Sequence, residues 1–529
     1  MALLSETAAI LLSLASGDSA RGRAAIVISR NMAMSLIRVA AVAVVALALP
    51  AYLTHRLPVD RYAAWVLILQ LGAYVSYLDF GIQTGVSKFV AEHSARGDRM
   101  GAGSKASSGL ALMLLAGCLG LLLTPILAWR VPTLFAGMSS TLFKEVRISI
   151  ILVGFSLSLS LVCSIYSAVL LGLQRYGLPV AISVANRIGF SIVVIAIVAR
   201  GGGLIAMSIG VVLVNISTGI AQVLAWRYYA YHIPISLVSI KAASVRRMAI
   251  YCFYQSIWTA GMLCVSGLDI VIVGHYDYSQ TAYYAIAALP ISFLSAVLAS
   301  ILGPVMPAAS AMSARHSPSE MGRVLIKLTR YSTVILLLTC LSAIVLGFPL
   351  LRIWVGREFA IQVLPYLRLL MIANVIRNLC APYATMICAT GRQKAAVIAA
   401  IAEAVVNLGC SIALARRYGA IGVAAGTLIG SFVSIVLHIT VTMRRAHQSI
   451  AVSRSAFFRE GLLQPMVIAI PSFLLLDNWW RTATLDPPSA ILWLTSTVAL
   501  AWLLAINRSD RTNLLALGRR FCQILPGSP

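Results

Sequence analysis

Apolar runs about twenty residues long, separated by short polar stretches, recur along the whole chain. Runs such as 149–171 and 329–351 exceed what a soluble core helix needs. They match the ~20 residues that cross a ~30 Å hydrocarbon layer at 1.5 Å per residue. The pattern predicts spans near 32–53, 62–80, 108–129, 148–171, 178–199, 204–226, 249–272, 283–306, 328–351, 365–388, 395–415, 421–443, 462–478 and 489–506. The last two stand apart, because Pro465 and Pro471 interrupt the first of them. The expected fold class is therefore an all-α polytopic membrane protein of about 14 transmembrane helices, twelve in a core and an appended pair. The connections reach roughly twenty-five residues at most, so the chemistry belongs within the membrane or at its faces.

Composition agrees: 60% of the 529 residues are hydrophobic and 11% charged, where a soluble domain has about a quarter charged. The formal net charge of +25 invites a nucleic-acid reading, but its distribution argues otherwise. The two termini and the loops 82–107, 172–177, 227–248, 307–330, 389–394 and 444–463 share one side and hold 26 Lys/Arg. The opposite loops hold 11, and four arginines lie inside spans. The positive-inside rule places the richer side, with both termini, in the cytoplasm. Most of the charge is thus a topology signal, and no nucleic-acid partner is expected. Residues 1–30 have Glu6 rather than a basic segment ahead of a short apolar stretch, and are expected to form a cytoplasmic arm rather than a cleaved signal.

The chain also repeats itself. Arg61-Tyr62-Ala63-Ala64 leads through a span to Ser94-Ala95-Arg96-Gly97-Asp98, as Thr281-Ala282-Tyr283-Tyr284 leads to Ser313-Ala314-Arg315-His316-Ser317. Gly172-Leu173-Gln174-Arg175 opens a span closing at Arg200-Gly201-Gly202-Gly203, and Gly391-Arg392-Gln393-Lys394 opens one closing at Arg416-Arg417-Tyr418-Gly419. Two parallel six-span halves are a transporter layout, with substrate between the repeats and alternating access by rocking. The expected domains are a cytoplasmic arm at 1–30, an N-lobe at 31–240, a C-lobe at 241–445, the appended pair at 446–506 and a cytoplasmic tail at 507–529.

Nine cysteines form no CxxC and no Cys/His cluster with metal-ligand spacing, so no metal is expected and the cysteines read as small buried hydrophobes. Walker A, GxSxG and HExxH motifs do not occur, which argues against direct ATP hydrolysis. The stretch 88–105 mixes charge with Phe89, Val90 and Ala91, suiting an amphipathic helix at the cytoplasmic surface.

Charges inside spans cost at least ~2.5–3.5 kcal/mol at mid-helix on insertion scales, so each needs a reason. Arg38, Arg187, Arg368 and Arg377 lie in spans, as do Asp269 and Glu403, while Asp79 closes the second span. Read functionally, Arg38, Arg187 and Arg377 line a cationic cavity and hold a phosphate or pyrophosphate, since guanidinium stays charged and donates several hydrogen bonds. Read structurally, Arg377 pairs with Glu403 and Arg38 with Asp79, while Arg187 and Arg368 snorkel. Asp269 and Glu403 are alternatively sites for a coupling proton or cation. Asn374, Arg377 and Asn378 share one helical face at i, i+3, i+4 and form the best candidate lining, against plain interhelical hydrogen bonding.

At Leu78-Asp79-Phe80-Gly81-Ile82, followed by Lys88-Phe89-Val90-Ala91-Glu92 and Ala95-Arg96-Gly97-Asp98, the chain resembles bacterial polysaccharide repeat-unit flippases of the multidrug/oligosaccharidyl-lipid/polysaccharide (MOP) exporter superfamily. Asp269 ahead of Tyr283-Tyr284, and Gly391-Arg392 before the eleventh span, add to the likeness, which covers about 25–450. The resemblance implies a two-lobed, V-shaped, MATE-like fold. It also implies transfer of an undecaprenyl-pyrophosphate-linked oligosaccharide across the bacterial inner membrane for surface polysaccharide biosynthesis. The implied partners are that lipid-linked substrate, membrane lipids, and the polymerase and glycosyltransferases of the pathway. Coupling to a proton or cation gradient is expected, without a cofactor. The alternatives are a drug/cation antiporter of the same superfamily, whose cavity should be dominated by carboxylates, and a polytopic glycosyltransferase or ligase, which the short outer loops disfavour.

Overall fold

The computed structural model describes residues 47–505, apart from 237–239, 241–243, 247, 251, 254–255, 257–260, 262, 303–304, 306–308, 310–311, 314–316, 391–392, 448 and 475–486. The arm at 1–30, the tail at 507–529, most of the span expected at 32–53 and much of that at 249–272 lie outside the described residues. What is described is helical, with no strand. Among the described residues nine helical stretches are long and apolar enough to cross a membrane, and the longest, Val397–Arg445, has length for two crossings. The protein is an all-α, multi-pass membrane protein.

Two compact units emerge, one comprising Val44–Ala285 with Ile412–Val423 and the other Ile286–Ser411 with Ala424–Pro529. In the first, called here the N-terminal unit, α1 (Val59–Tyr77) ends in a tight turn and α2 (Ile82–Ala95) begins after it. Phe80 and Gly81 take positive φ there (47° and 75°), and the Asp79 carboxylate accepts the Gln83 backbone N–H at 3.1 Å. The Asp-x-Gly motif is thus a turn whose acid satisfies one of the orphan donors of a helix start. Next come α3 (Arg99–Trp129), α4 (Ser140–Gly172), α5 (Gly177–Ala199) and α6 (Leu204–Tyr229). Helix α4 is the hub, packing on α1, α2, α3 and α6.

Small residues allow that closeness. Gly154 of α4 sits so near Thr124 of α3 that an added Cβ would collide with its side chain, and Gly120 meets Ser158 in the same way. Lipid tails supply no hydrophobic drive between helices, so close backbone packing must hold them. Thr124 and Ser158 return their hydroxyls to carbonyls four residues back, at 2.6 and 2.9 Å, leaving no polar group orphaned at the contact. Gly154→Val is expected to cost about 1–3 kcal/mol by overpacking. A thermal-unfolding midpoint unchanged from wild type would refute that.

After α6 the unit continues through a π-helical turn, Leu263–Gly267, into α7 (Asp269–Tyr276). Helix α8 (Thr281–Leu302) follows.

The second, C-terminal unit contains α9 (Pro318–Val345), opened by a full capping box between Ser317 and Glu320, and α10 (Gly347–Val355). The run expected to continue through 351 therefore stops at Val345. Gly347 weakens the helix there, and Pro349 has no N–H to offer the carbonyl of Val345. Then come α11 (Arg357–Asn378), α12 (Ala381–Ala389) and α13 (Gln393–Leu437). Gly419 (φ 58°) breaks α13, consistent with two spans in one continuous stretch. Its arms touch where Gly426 lies on Ser411 and Gly430 on Asn407.

The first appended segment is irregular: a π turn at Phe457–Leu463, three helical residues, a 3₁₀ turn at Val467–Ala469, then Ile470–Leu474. Pro465 and Pro471 remove the donors that would bond the carbonyls of Gly461 and Val467, so one regular helix cannot form. Helix α14 (Pro487–Leu500), followed by a π turn at Ala501–Ala505, tucks Trp493 inward with its indole N–H on Ser472 at 2.8 Å.

Eight described cysteines are free. Cys252, Cys340 and Cys380 are buried as expected, whereas Cys118 is exposed on the apolar surface. No metal-competent His/Cys/Asp/Glu group occurs among the described residues.

Candidate functional site

The C-terminal unit concentrates its polar chemistry at a helix break. Helix α11 ends at Asn378, and Pro382 in the first turn of α12 cannot donate to the Asn378 carbonyl four residues back. Arg377 stands in that last turn, where the negative end of the helix dipole favours a cation. Its Nε donates to Oε1 of Glu403 on α13 at 2.6 Å. Both side chains are largely buried, at 21% and 9% exposure. The guanidinium is not exhausted: Nη2 is buried and has no hydrogen-bond partner among the described residues.

The two asparagines sharing that helical face behave differently. Asn374 is buried and donates to the Ile291 carbonyl and to Ser295 Oγ of α8, both at 3.3 Å. Asn378 folds back to donate to the Asn374 carbonyl at 2.9 Å and also contacts Asn374 Oδ1. These amides anchor the end of α11, the turn on which Arg377 stands. Asn407, one turn beyond Glu403, is buried against the other arm of α13 and receives Ser411 Oγ at 3.2 Å.

A second polar cluster lies in the N-terminal unit, at the π turn before α7. Opening a helix by one residue leaves carbonyls without their regular partners. Here the Gly267 carbonyl accepts from Gln70 Nε2 at 2.7 Å and from Tyr74 Oη at 2.9 Å, both on α1. Two residues on, Asp269 is buried in the first turn of α7, where the helix dipole suits an anion. Tyr284 of α8 donates its hydroxyl to Asp269 Oδ2 at 3.3 Å. Gln70, Tyr74 and Gly267 give no signal in the sequence, whereas Tyr283-Tyr284 belongs to both the internal repeat and the family likeness.

The other expected residues fall elsewhere. Arg187 is exposed on α5 between Asn186 and an exposed Ile188, with no hydrogen bond or ion pair among the described residues. Its neighbour Asn186 belongs to a ladder, donating to Asn215 Oδ1 (3.3 Å) and Thr218 Oγ1 (2.8 Å), while Asn215 donates to Ser156 Oγ (3.0 Å). That ladder ties α4, α5 and α6 together. Asp79 caps α2, and Arg38, its suggested partner, lies outside the described residues. Arg392 lies outside them too.

No family model matches the sequence, and comparison with curated proteins gives no match. Solved structures do match. An inward-facing multidrug-resistance MATE transporter of the MOP superfamily aligns at TM-score 0.63 and 15% identity, over 80% of this chain and 99% of its own. The lipid II flippase MurJ, in an inward closed conformation, aligns at 0.64 and 13%, over 94% of this chain and 99% of its own. A MOP superfamily transporter from Pyrococcus furiosus aligns at 0.56 and 15%, over 83% and 98%. At such identities the likeness is one of fold, and the chain has the all-helical fold of the MOP superfamily transporters.

Proposed function

We propose that the protein is a flippase that moves an undecaprenyl-pyrophosphate-linked oligosaccharide repeat unit across the bacterial inner membrane by alternating access, for surface polysaccharide biosynthesis. The observation that carries this reading is the Arg377 guanidinium, fixed at a helix break with a buried donor still to spare. A pyrophosphate in a low-dielectric passage needs compensating positive charge and directional donors, and guanidinium supplies both. The structures this chain matches include a lipid II flippase, over 94% of the chain, as well as a MATE transporter, over 80%, so a lipid-linked cargo lies within the range of the fold.

In this reading the pyrophosphate competes with Glu403 for Arg377. Substrate binding draws the guanidinium away and leaves a buried carboxylate, which is stabilised by taking up a proton or cation. Asn374 and Asn378 anchor the end of α11 on which Arg377 stands. Asp269, beside its π turn, is the alternative coupling group.

Deleting the gene in its native host tests the proposal. The expected result is accumulation of the complete lipid-linked repeat unit with loss of surface polymer, restored by the wild-type gene. Unchanged polymer and lipid intermediates, together with altered tolerance to cationic drugs, would replace this reading with the antiporter.

A further inference from the structure

One end of the N-terminal unit carries a charged and aromatic surface apart from both polar clusters described above. The stretch 88–105, expected as one amphipathic helix at the cytoplasmic surface, is divided between the end of α2 and the start of α3. Helix α2 buries Ile82, Val86 and Val90 in a protein core shared with α3, α4, α6 and Ile233. Ser87 Oγ donates to the Ala168 carbonyl at 2.9 Å, and Gly172 leaves no space for a Cβ against the Ser87 carbonyl and Val90. The segment around 233–236 is strapped to the same core, with Ser236 N–H on Ser107 Oγ at 3.0 Å and Pro234 against Gly103. The start of α3, the ends of α2, α4 and α6, and this strap therefore form one rigid platform.

The platform faces outward with arginine and tyrosine. Arg96, Arg99, Arg175 and Arg227 are exposed there, as are Tyr176 (59%) and Tyr228 (77%). The Arg175 guanidinium lies over the Tyr229 ring at 5.4 Å, and Tyr229 meets Tyr228 edge-on at 4.7 Å, so arginine and aromatics are held as one unit. Two carboxylates lie beside them, the exposed Glu92 of α2 and Asp98, which meets His93 (2.9 Å) and the Gly101 N–H (2.7 Å) as the cap of α3, so four arginines against two acids leave the surface net positive. Tyrosine prefers the headgroup level of a bilayer, and clustered arginine at that level attracts anionic lipid.

We propose that this platform is a binding surface for anionic phospholipid headgroups, seating α2 and the end of α6 on the membrane face. The inference stands apart from the cargo and holds whether or not the protein is a flippase.

The test uses the full-length protein in nanodiscs of phosphatidylcholine alone or mixed with phosphatidylglycerol. Phosphatidylglycerol is expected to raise the thermal-unfolding midpoint at low salt, and the rise is expected to fade at high ionic strength. In Arg96→Ala/Arg99→Ala/Arg175→Ala/Arg227→Ala the rise should be at least halved. It should persist in Arg444→Ala/Arg445→Ala, which loses charge from the other unit. Native mass spectrometry should show fewer retained phosphatidylglycerol molecules in the fourfold variant, even if its midpoint is altered for other reasons. Millimolar free phosphate or pyrophosphate should leave the wild-type rise in place; if either ion abolishes it, the surface is a soluble-anion site and the proposal fails. An equal rise and equal lipid retention in wild type and fourfold variant would overturn it as well.

Discussion

Arg377→Ala is expected to stop translocation and to lower stability by about 3–5 kcal/mol, because it leaves Glu403 buried without its counter-charge. The pair is short, at 2.6 Å, and set among apolar helices, so loss of one partner is felt in full. On its own that variant would not separate a transport role from a structural one. Arg377→Leu combined with Glu403→Leu does, since replacing a buried ion pair by apolar groups of similar volume is often neutral or stabilising by ~1–4 kcal/mol. The double variant is expected to regain the wild-type unfolding midpoint yet translocate no lipid-linked oligosaccharide in proteoliposomes. Arg377→Lys should fall between, keeping the charge but losing the planar fork that grips two phosphate oxygens. Wild-type translocation by the double leucine variant would reduce Arg377 to a structural ion and remove the anion site from this end of α11.

The bundle was legible in the chain because the hydrocarbon layer dictates both the length and the apolarity of each span. The Asp79-Phe80-Gly81 stretch stood out only through the family resemblance; read on its own, Asp79 closed a span or paired with Arg38, whereas Gly81 takes a positive φ and the acid accepts the Gln83 N–H at the start of the next helix. Breaks were harder to read. The stop at Val345 depends on Gly347 and Pro349 together, inside a run whose hydropathy never falls. Hydrogen-bond partners were the least legible. Asn374 and Asn378 lie on the same face as Arg377, but whether an amide faces a passage or the nearest carbonyl depends on what α8 presents, and α8 presents the carbonyl of Ile291. For Arg377 and Glu403 the sequence left cavity lining and ion pairing open, and the structure shows the pair. Gln70 and Tyr74 were invisible because an ordinary polar residue in an apolar run gives no periodic signal. Their importance comes from the π turn they satisfy, 193 residues or more away in the chain.

Asp269→Asn tests the alternative coupling site: it is expected to preserve the fold and, where Asp269 rather than Glu403 holds the coupling ion, to uncouple transport from its energy source. The amide keeps an oxygen for the Tyr284 hydroxyl, which now approaches Oδ2 at 3.3 Å, so the cost to stability should stay within about 1–1.5 kcal/mol, the net worth of one hydrogen bond. What the amide cannot do is take up a proton or neutralise a cation. In proteoliposomes with an imposed proton or sodium gradient, the variant should translocate only at the rate seen without any gradient. Tyr284→Phe should remain driven, with a shifted dependence on pH or sodium, because the carboxylate survives and loses one donor. The two carboxylates are then told apart by what substrate does to each. Under the proposed exchange Glu403 keeps its guanidinium until a pyrophosphate displaces it, so a proton or cation should bind there only with cargo present. Asp269 lies at a different break, braced through Gly267 by α1, and its ion occupancy should not require cargo. Gradient-driven translocation that persists in Asp269→Asn would assign coupling to the Arg377–Glu403 exchange, making the substrate itself the trigger for ion uptake.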